Sequence, residues 1–231
     1  MVGWLNNLSM KLRYLLKVVL ALLMVSCSGR VQESKKIIAI GDSNGAFDYG
    51  WVPQLQKLLP NDVIYNTSVP GNTIGFDNLG QTRLNTLTNL NAYLNEAQDS
   101  LKTVDYVVIM LGTNDSKYVF RDQKGEVLAN MDTLISRIRD FFKDSKVPQI
   151  LLVAPPPYGD DSILAEKYKG GNGRVKLLAG EYAKLAKQNH CEFVDVYHVF
   201  ENTFMNYSKD GVHLNEEGQK IIAQNIFKKI K

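Results

Sequence analysis

From Lys36 onward, five short apolar runs alternate with longer segments in which apolar residues recur every three or four positions, and this alternation leaves few architectures open. The runs cover residues 37–40, 62–65, 104–111, 149–154 and 192–196. Between them Val52, Leu55, Leu58 and Leu59 keep helical spacing until Pro60-Asn61 stops them. A second helical stretch reaches about Gln98. Leu128, Met131, Leu134, Ile135, Ile138, Phe141 and Phe142 mark a third, and Val175, Leu178, Ala179, Tyr182, Leu185 and Ala186 a fourth. Ile222, Ile226 and Ile230 lie on one face of the last. The run 104–111 is apolar on both faces, as in the centre of a covered sheet. Strand and helix in turn, five times, predict a central parallel sheet of about five strands, because each parallel strand needs a crossover and right-handed crossovers dominate. The expected fold is a three-layer α/β/α sandwich spanning residues 36–231 as one domain. Ligands of such sheets collect beyond the carboxyl ends of the strands.

The chain has 231 residues, 45% hydrophobic and 22% charged, which suits an ordinary globular protein. The formal charge of +3 comes from Lys11, Arg13 and Lys17, all ahead of Cys27, where no acidic residue stands. From Cys27 on, basic and acidic residues balance, so the domain has no basic footprint and nucleic acid is not an expected partner. Those three charges precede an apolar run, Val18–Val25, too short to span a bilayer and laid out like a secretory signal. Its end, Met24-Val25-Ser26-Cys27, resembles a bacterial lipobox, which implies lipidation of Cys27, a signal over 1–26 and a polar tether over 27–35. Membrane attachment through Cys27, on the periplasmic side or cell surface, is expected. A start at Met10 rather than Met1 would give a compact charged region before the apolar run. The other cysteine, Cys191, reads as a small buried residue. With only two cysteines, no disulfide framework is expected.

The strand ends hold the unusual residues. Strand one runs into Gly41-Asp42-Ser43-Asn44, where a serine at the rim of the sheet is either a nucleophile or a helix N-cap. The second strand is followed by Asn66-Thr67-Ser68-Val69-Pro70-Gly71-Asn72-Thr73, whose glycine N–H a substrate could approach closely. The central strand ends in Leu111-Gly112-Thr113-Asn114-Asp115, which offers a neutral amide donor or a second cap. Asp210-Gly211-Val212-His213 precedes the last helix, and an aspartate three residues before a histidine can fix its tautomer. His190 and His198 read as capping or core residues, leaving His213 as the histidine with an orienting carboxylate. A serine, two oxyanion donors and an Asp–His pair at separate strand ends make up the inventory for acyl transfer. No cluster has metal-ligand spacing and no phosphate-binding loop is present, so neither metal nor cofactor is expected.

These blocks resemble, in order and spacing, the SGNH (GDSL-type) serine hydrolases along nearly the whole chain after Lys36. The resemblance implies the flavodoxin-like sheet of that family. It makes Ser43 the nucleophile, His213 the general base and acid, and Asp210 its orienting partner. The oxyanion hole would be the Ser43 N–H, the Gly71 N–H and the Asn114 side chain. Asn44 departs from the Leu or Ile common after the serine. Gly112–Lys117, Pro155-Pro156-Pro157 and Gly170-Gly171 are similar to arylesterase-like members. The implied activity is hydrolysis of short acyl esters, including carbohydrate O-acetyl or aryl esters. The alternatives are a lysophospholipase or thioesterase with a longer acyl groove, or a noncatalytic glycan-binding lipoprotein. Phe47, Trp51, Phe76, Tyr118, Phe120 and Tyr158 are candidate pocket walls or core aromatics.

Overall fold

The computed structural model describes residues 33–230. The signal, the lipobox at Cys27 and most of the proposed tether lie outside the described residues. The compact unit Ser34–Lys231 carries the fold. No described helix is long and apolar enough to cross a membrane.

Five parallel strands form one sheet: β1 (Lys36–Gly41), β2 (Val63–Asn66), β3 (Tyr106–Met110), β4 (Gln149–Val153) and β5 (Glu192–Val194). Their order is β2-β1-β3-β4-β5, the flavodoxin-like arrangement, in which the winding reverses between β1 and β3. Register pairs Ala39 with Val108 and Gly41 with Met110, so β1 and β3 end level with each other. That shared end is where Ser43 and Asn114 enter their loops.

The two-residue period of the strands sorts the core into two layers. Ile38, Ile40, Val107, Ile109, Ile150 and Leu152 face α3 (Thr86–Leu101), α4 (Lys124–Phe142) and α5 (Gly171–Gln188). Ile37, Ala39, Val108, Met110, Leu151 and Val153 face the other way, against α2 (Trp51–Leu58) and α7 (Glu216–Phe227). At about 25 cal/mol per Å² of apolar area, these fully covered strands supply the main driving force for folding. The strand expected over 104–111 is pared to Tyr106–Met110, because Val104 is still in the approach from α3 and Leu111 already turns toward Gly112.

Two short helices were not expected. Ser43–Ala46 forms a single turn, α1, capped by Asp42. Val196, placed in the last strand by its apolar neighbours, instead opens α6 (Val196–Phe200), because the Asp195 side chain accepts the His198 N–H and caps a helix there. Of the six candidate wall aromatics, Trp51, Phe76 and Tyr158 are buried core residues and Phe120 stacks on Phe76. Tyr118 is about half exposed. Phe47 lies edge-on to the His213 ring with centroids 5.4 Å apart. Cys191 is half-buried rather than buried, beside Arg139.

Candidate active site

At the end of β1, Asp42 stops the strand and starts α1. Its Oδ1 accepts the Asn44 N–H at 3.0 Å and its carbonyl accepts the N–H groups of Gly45 and Ala46. Ser43 therefore occupies the first helical position, where an N–H has no intrahelical acceptor, and no described residue accepts it. This disposes of the N-cap reading of Ser43: the cap is Asp42. Burial pushes the Asp42 carboxyl up, opposed by the Asn44 N–H and the neighbouring Thr113 hydroxyl.

The histidine arrives from the other end of the chain. In the turn before α7, Asp210 Oδ1 accepts the N–H groups of Val212 (2.9 Å) and His213 (2.8 Å), leaving Oδ2 for His213 Nδ1 at 2.6 Å. Gly211 makes this turn with φ +74°, and a Cβ there would lie 2.8 Å from Leu164 Cδ2. His213 Nε2 then stands 3.1 Å from Ser43 Oγ, across 170 residues of sequence. Partial burial pushes the Asp210 carboxyl up, but the backbone and ring donors of His213 and the Val212 N–H outweigh it, and the group ends below the ordinary range. An ionised Asp210 on Nδ1 leaves Nε2 free to take a proton from the serine.

The oxyanion candidates converge on the same rim. Asn72 N–H bonds Val69 O at 3.0 Å, closing a turn with Pro70 second and Gly71 third at φ +92°, the signature of type II. The Asn114 side chain, from the end of β3, donates to Asn72 O at 3.0 Å, and Asn72 donates to Gly41 O at 3.3 Å. The Gly71 turn is thereby tied to both strand ends. One Asn114 amide hydrogen is committed to Asn72, leaving the second for a substrate oxygen. Asp115 faces inward instead: its Oδ1 accepts the Ile74 N–H, and burial pushes its carboxyl up to about 7, opposed mainly by that bond and its own N–H.

Sequence reading missed three features. Asn72 is fully buried and links β1 to the Gly71 loop, but in a loop rich in Gly and Asn it carries no distinguishing signal. Gln219 of α7 donates to Asn44 Oδ1 at 2.6 Å and to Leu214 O at 3.3 Å. The unusual Asn44 is thus one half of a buried amide pair that connects the residue after Ser43 to the residue after His213. A polar residue on the apolar face of the last helix was the available signal. The third is Asp195. It stands three residues before His198 as Asp210 does before His213, and its Oδ2 lies 2.7 Å from His198 Nδ1. His198 therefore also has an orienting carboxylate, contrary to expectation, and it is exposed rather than a core residue.

A serine, an imidazole and a carboxylate in line at the switch point of a parallel sheet define the class of serine hydrolases. Within that class the chain belongs to the GDSL-like lipase/acylhydrolase family, whose model matches residues 38–221, and it is a carboxylic ester hydrolase. The fold is shared with a carbohydrate acetylesterase from Sinorhizobium meliloti (TM-score 0.68, 24% identity, covering 85% of this chain and 98% of that one). It is shared equally with the aryl esterase of M. smegmatis (TM-score 0.68, 23% identity, 85% and 98%). A catalytic mutant of an acetylxylan esterase from Geobacillus stearothermophilus is more distant (TM-score 0.59, 20% identity, 85% and 94%). No curated protein matches the sequence. Among the described residues no group of three or more His, Cys, Asp or Glu is placed to hold a metal ion.

Proposed function

We propose that Ser43, His213 and Asp210 hydrolyse short acyl esters, with O-acetylated carbohydrate as the substrate class. The observation that carries the mechanism is the line Ser43 Oγ to His213 Nε2 (3.1 Å) and His213 Nδ1 to Asp210 Oδ2 (2.6 Å). His213 takes the Ser43 proton as Oγ attacks the ester carbonyl. The resulting oxyanion meets the Ser43 N–H, the Gly71 N–H and the free Asn114 amide hydrogen. The imidazolium then protonates the departing alcohol, leaving an acyl-serine. Water, activated by the same ring, releases the acid.

For the alcohol side the structure offers a cavity of about 240 Å³ beside the catalytic turn, where Asp160, Asn172, Glu201 and Asn202 share the lining with Phe204 and Met205. It adjoins that turn through the Gly159 N–H, which bonds Gly211 O at 2.8 Å. Amide, hydroxyl and carboxylate groups suit a hydroxyl-rich alcohol better than an alkyl chain. The sugar esterases among the solved structures of this fold agree with that reading.

The test treats the protein with a fluorophosphonate and then compares acetylated sugars with aryl acetates and with acyl chains from acetyl to palmitoyl. An adduct on Ser43 and a preference for acetyl are expected. No native adduct would sink the nucleophile assignment, and a preference for long acyl chains would favour a lysophospholipase or thioesterase. Export as a lipoprotein is a separate proposal resting on Val18–Cys27. Radiolabelled palmitate should enter the wild-type protein in a bacterial host and be lost from Cys27→Ser.

A further inference from the structure

Gly71 poses a problem for any hydrolase that uses its N–H. In a type II turn the peptide between Pro70 and Gly71 points its N–H to the side opposite that of a type I turn, and rotating that one peptide interconverts them. Glycine tolerates either sign of φ, so the residue that permits the productive geometry does nothing to hold it. Something outside the turn must.

Two holds come from one segment, residues 114–117. Asn114 grips the carbonyl of Asn72 directly. The carbonyl of Gly71 is gripped at one remove: Asn78 Nδ2 donates to Gly71 O at 2.6 Å, and Lys117 Nζ donates to Asn78 Oδ1 at 3.1 Å. An amide has a donor end and an acceptor end, and a buried asparagine can face either way. A lysine can only donate, so it compels Oδ1 toward itself and leaves Nδ2 for Gly71. Asn78 is 1% and Lys117 4% exposed, so little solvent competes with these bonds.

We propose that Lys117 is a positioning residue of the oxyanion site: by orienting the Asn78 amide it anchors the Gly71 carbonyl, on the peptide next to the one that turns, and so fixes where the loop presents the Gly71 N–H to the acyl oxygen. The inference rests on the reading of Gly71 as an oxyanion donor. It accounts for a buried cation whose one side-chain hydrogen-bond acceptor among the described residues is an amide oxygen, with the Tyr168 ring 5.6 Å away. Burial, and then Lys167, push Lys117 down to about 8, while Asp115 and Asp42 pull the other way, so the ammonium still predominates at neutral pH.

Two variants of the full-length protein test it. Lys117→Met removes the donor at similar length. Asn78→Asp keeps an acceptor for Lys117 but replaces the amide that holds Gly71 with an oxygen that repels it, and its ion pair with Lys117 protects the fold. Deleting an oxyanion donor outright costs about a hundred- to thousandfold. A misaimed donor should cost less, so kcat for an aryl acetate is expected to fall about ten- to a hundredfold in each variant, with KM within about threefold. Affinity for a small boronic acid, which forms a tetrahedral adduct on the serine, should weaken by a similar factor. A role confined to stability would move the melting temperature and leave kcat and boronate affinity alone. That result in either variant overturns the proposal, as does a rise in KM without a fall in kcat. Asn114→Ala separates the two levels of argument: wild-type turnover there would sink the oxyanion reading itself. An inactive Asn114→Ala beside a fully active Asn78→Asp would overturn the Lys117 clamp alone.

Discussion

Asp195–His198 and Asp210–His213 are the same device built twice. In each, an aspartate accepts the N–H of the histidine three residues on through Oδ1, at 3.1 Å and 2.8 Å, and meets its Nδ1 through Oδ2, at 2.7 Å and 2.6 Å. Each ring lies edge-on to an aromatic, Tyr197 in one case and Phe47 in the other. They part at Nε2. His213 has Ser43 Oγ 3.1 Å away and its side chain is 31% exposed, whereas the side chain of His198 is 54% exposed and makes no such bond to a hydroxyl among the described residues. The first pair caps a helix. The second lies in a glycine turn that the packing of α7 brings to the end of β1. An Asp–His pair is thus a local product of four residues, and what turns one into a proton relay is a partner that four residues cannot supply.

Removing the ring should separate the pairs most. His213→Ala and Ser43→Ala are each expected to lower kcat by about five to six orders of magnitude, as deletions in serine-hydrolase triads do. His198→Ala should stay within about twofold in the same ester assay. A comparable loss in His198→Ala would mean that the wrong pair has been assigned.

The carboxylates give the next largest contrast. Asp210→Asn, which keeps the shape but favours the wrong tautomer, should cost about 10⁴ in kcat, and Asp195→Asn should cost nothing measurable. The same substitution also carries a pH signature. Because the folded protein holds Asp210 below the ordinary range, its contribution to stability is present above an unfolded-state pKa of ~4 and is lost as pH falls through the lower folded value. Acid unfolding of Asp210→Asn should therefore lack part of that decline, and curves that superimpose on wild type would refute the shift. Smallest of all, Asp195→Ala should remove a helix cap at about 1 kcal/mol in denaturant unfolding, with kcat unchanged. A fall in kcat would show that the second pair contributes to turnover.

The other contrasts in legibility follow the same line. Residues 37–40 and 149–154 were readable as strands because a covered strand needs apolar side chains on both faces, and that demand acts on neighbours in sequence. Val196 misled for the same reason: an apolar residue after a strand continues the pattern, while the cap that starts α6 depends on which way the Asp195 side chain folds. At the site, Ser43, Asn114 and Asp210 stood out through short motifs. Asn72, Gln219 and the Asn78 hold on Gly71 did not, because each depends on a hydrogen bond to a group 31, 175 or 7 residues away, and no spacing rule records such a bond.

By itself the sequence determined the five strands, the two layers they separate and the Asp210–His213 pair, since period and tight turns are settled within a few residues. Only the tertiary structure decided which imidazole meets a hydroxyl and which side chains hold the carbonyls of the Gly71 turn. Those outcomes depend on β1 and β3 ending level and on α7 packing against α2. Both are set by burial of the whole core, whose energy is shared among residues from every part of the chain and is written in no single motif.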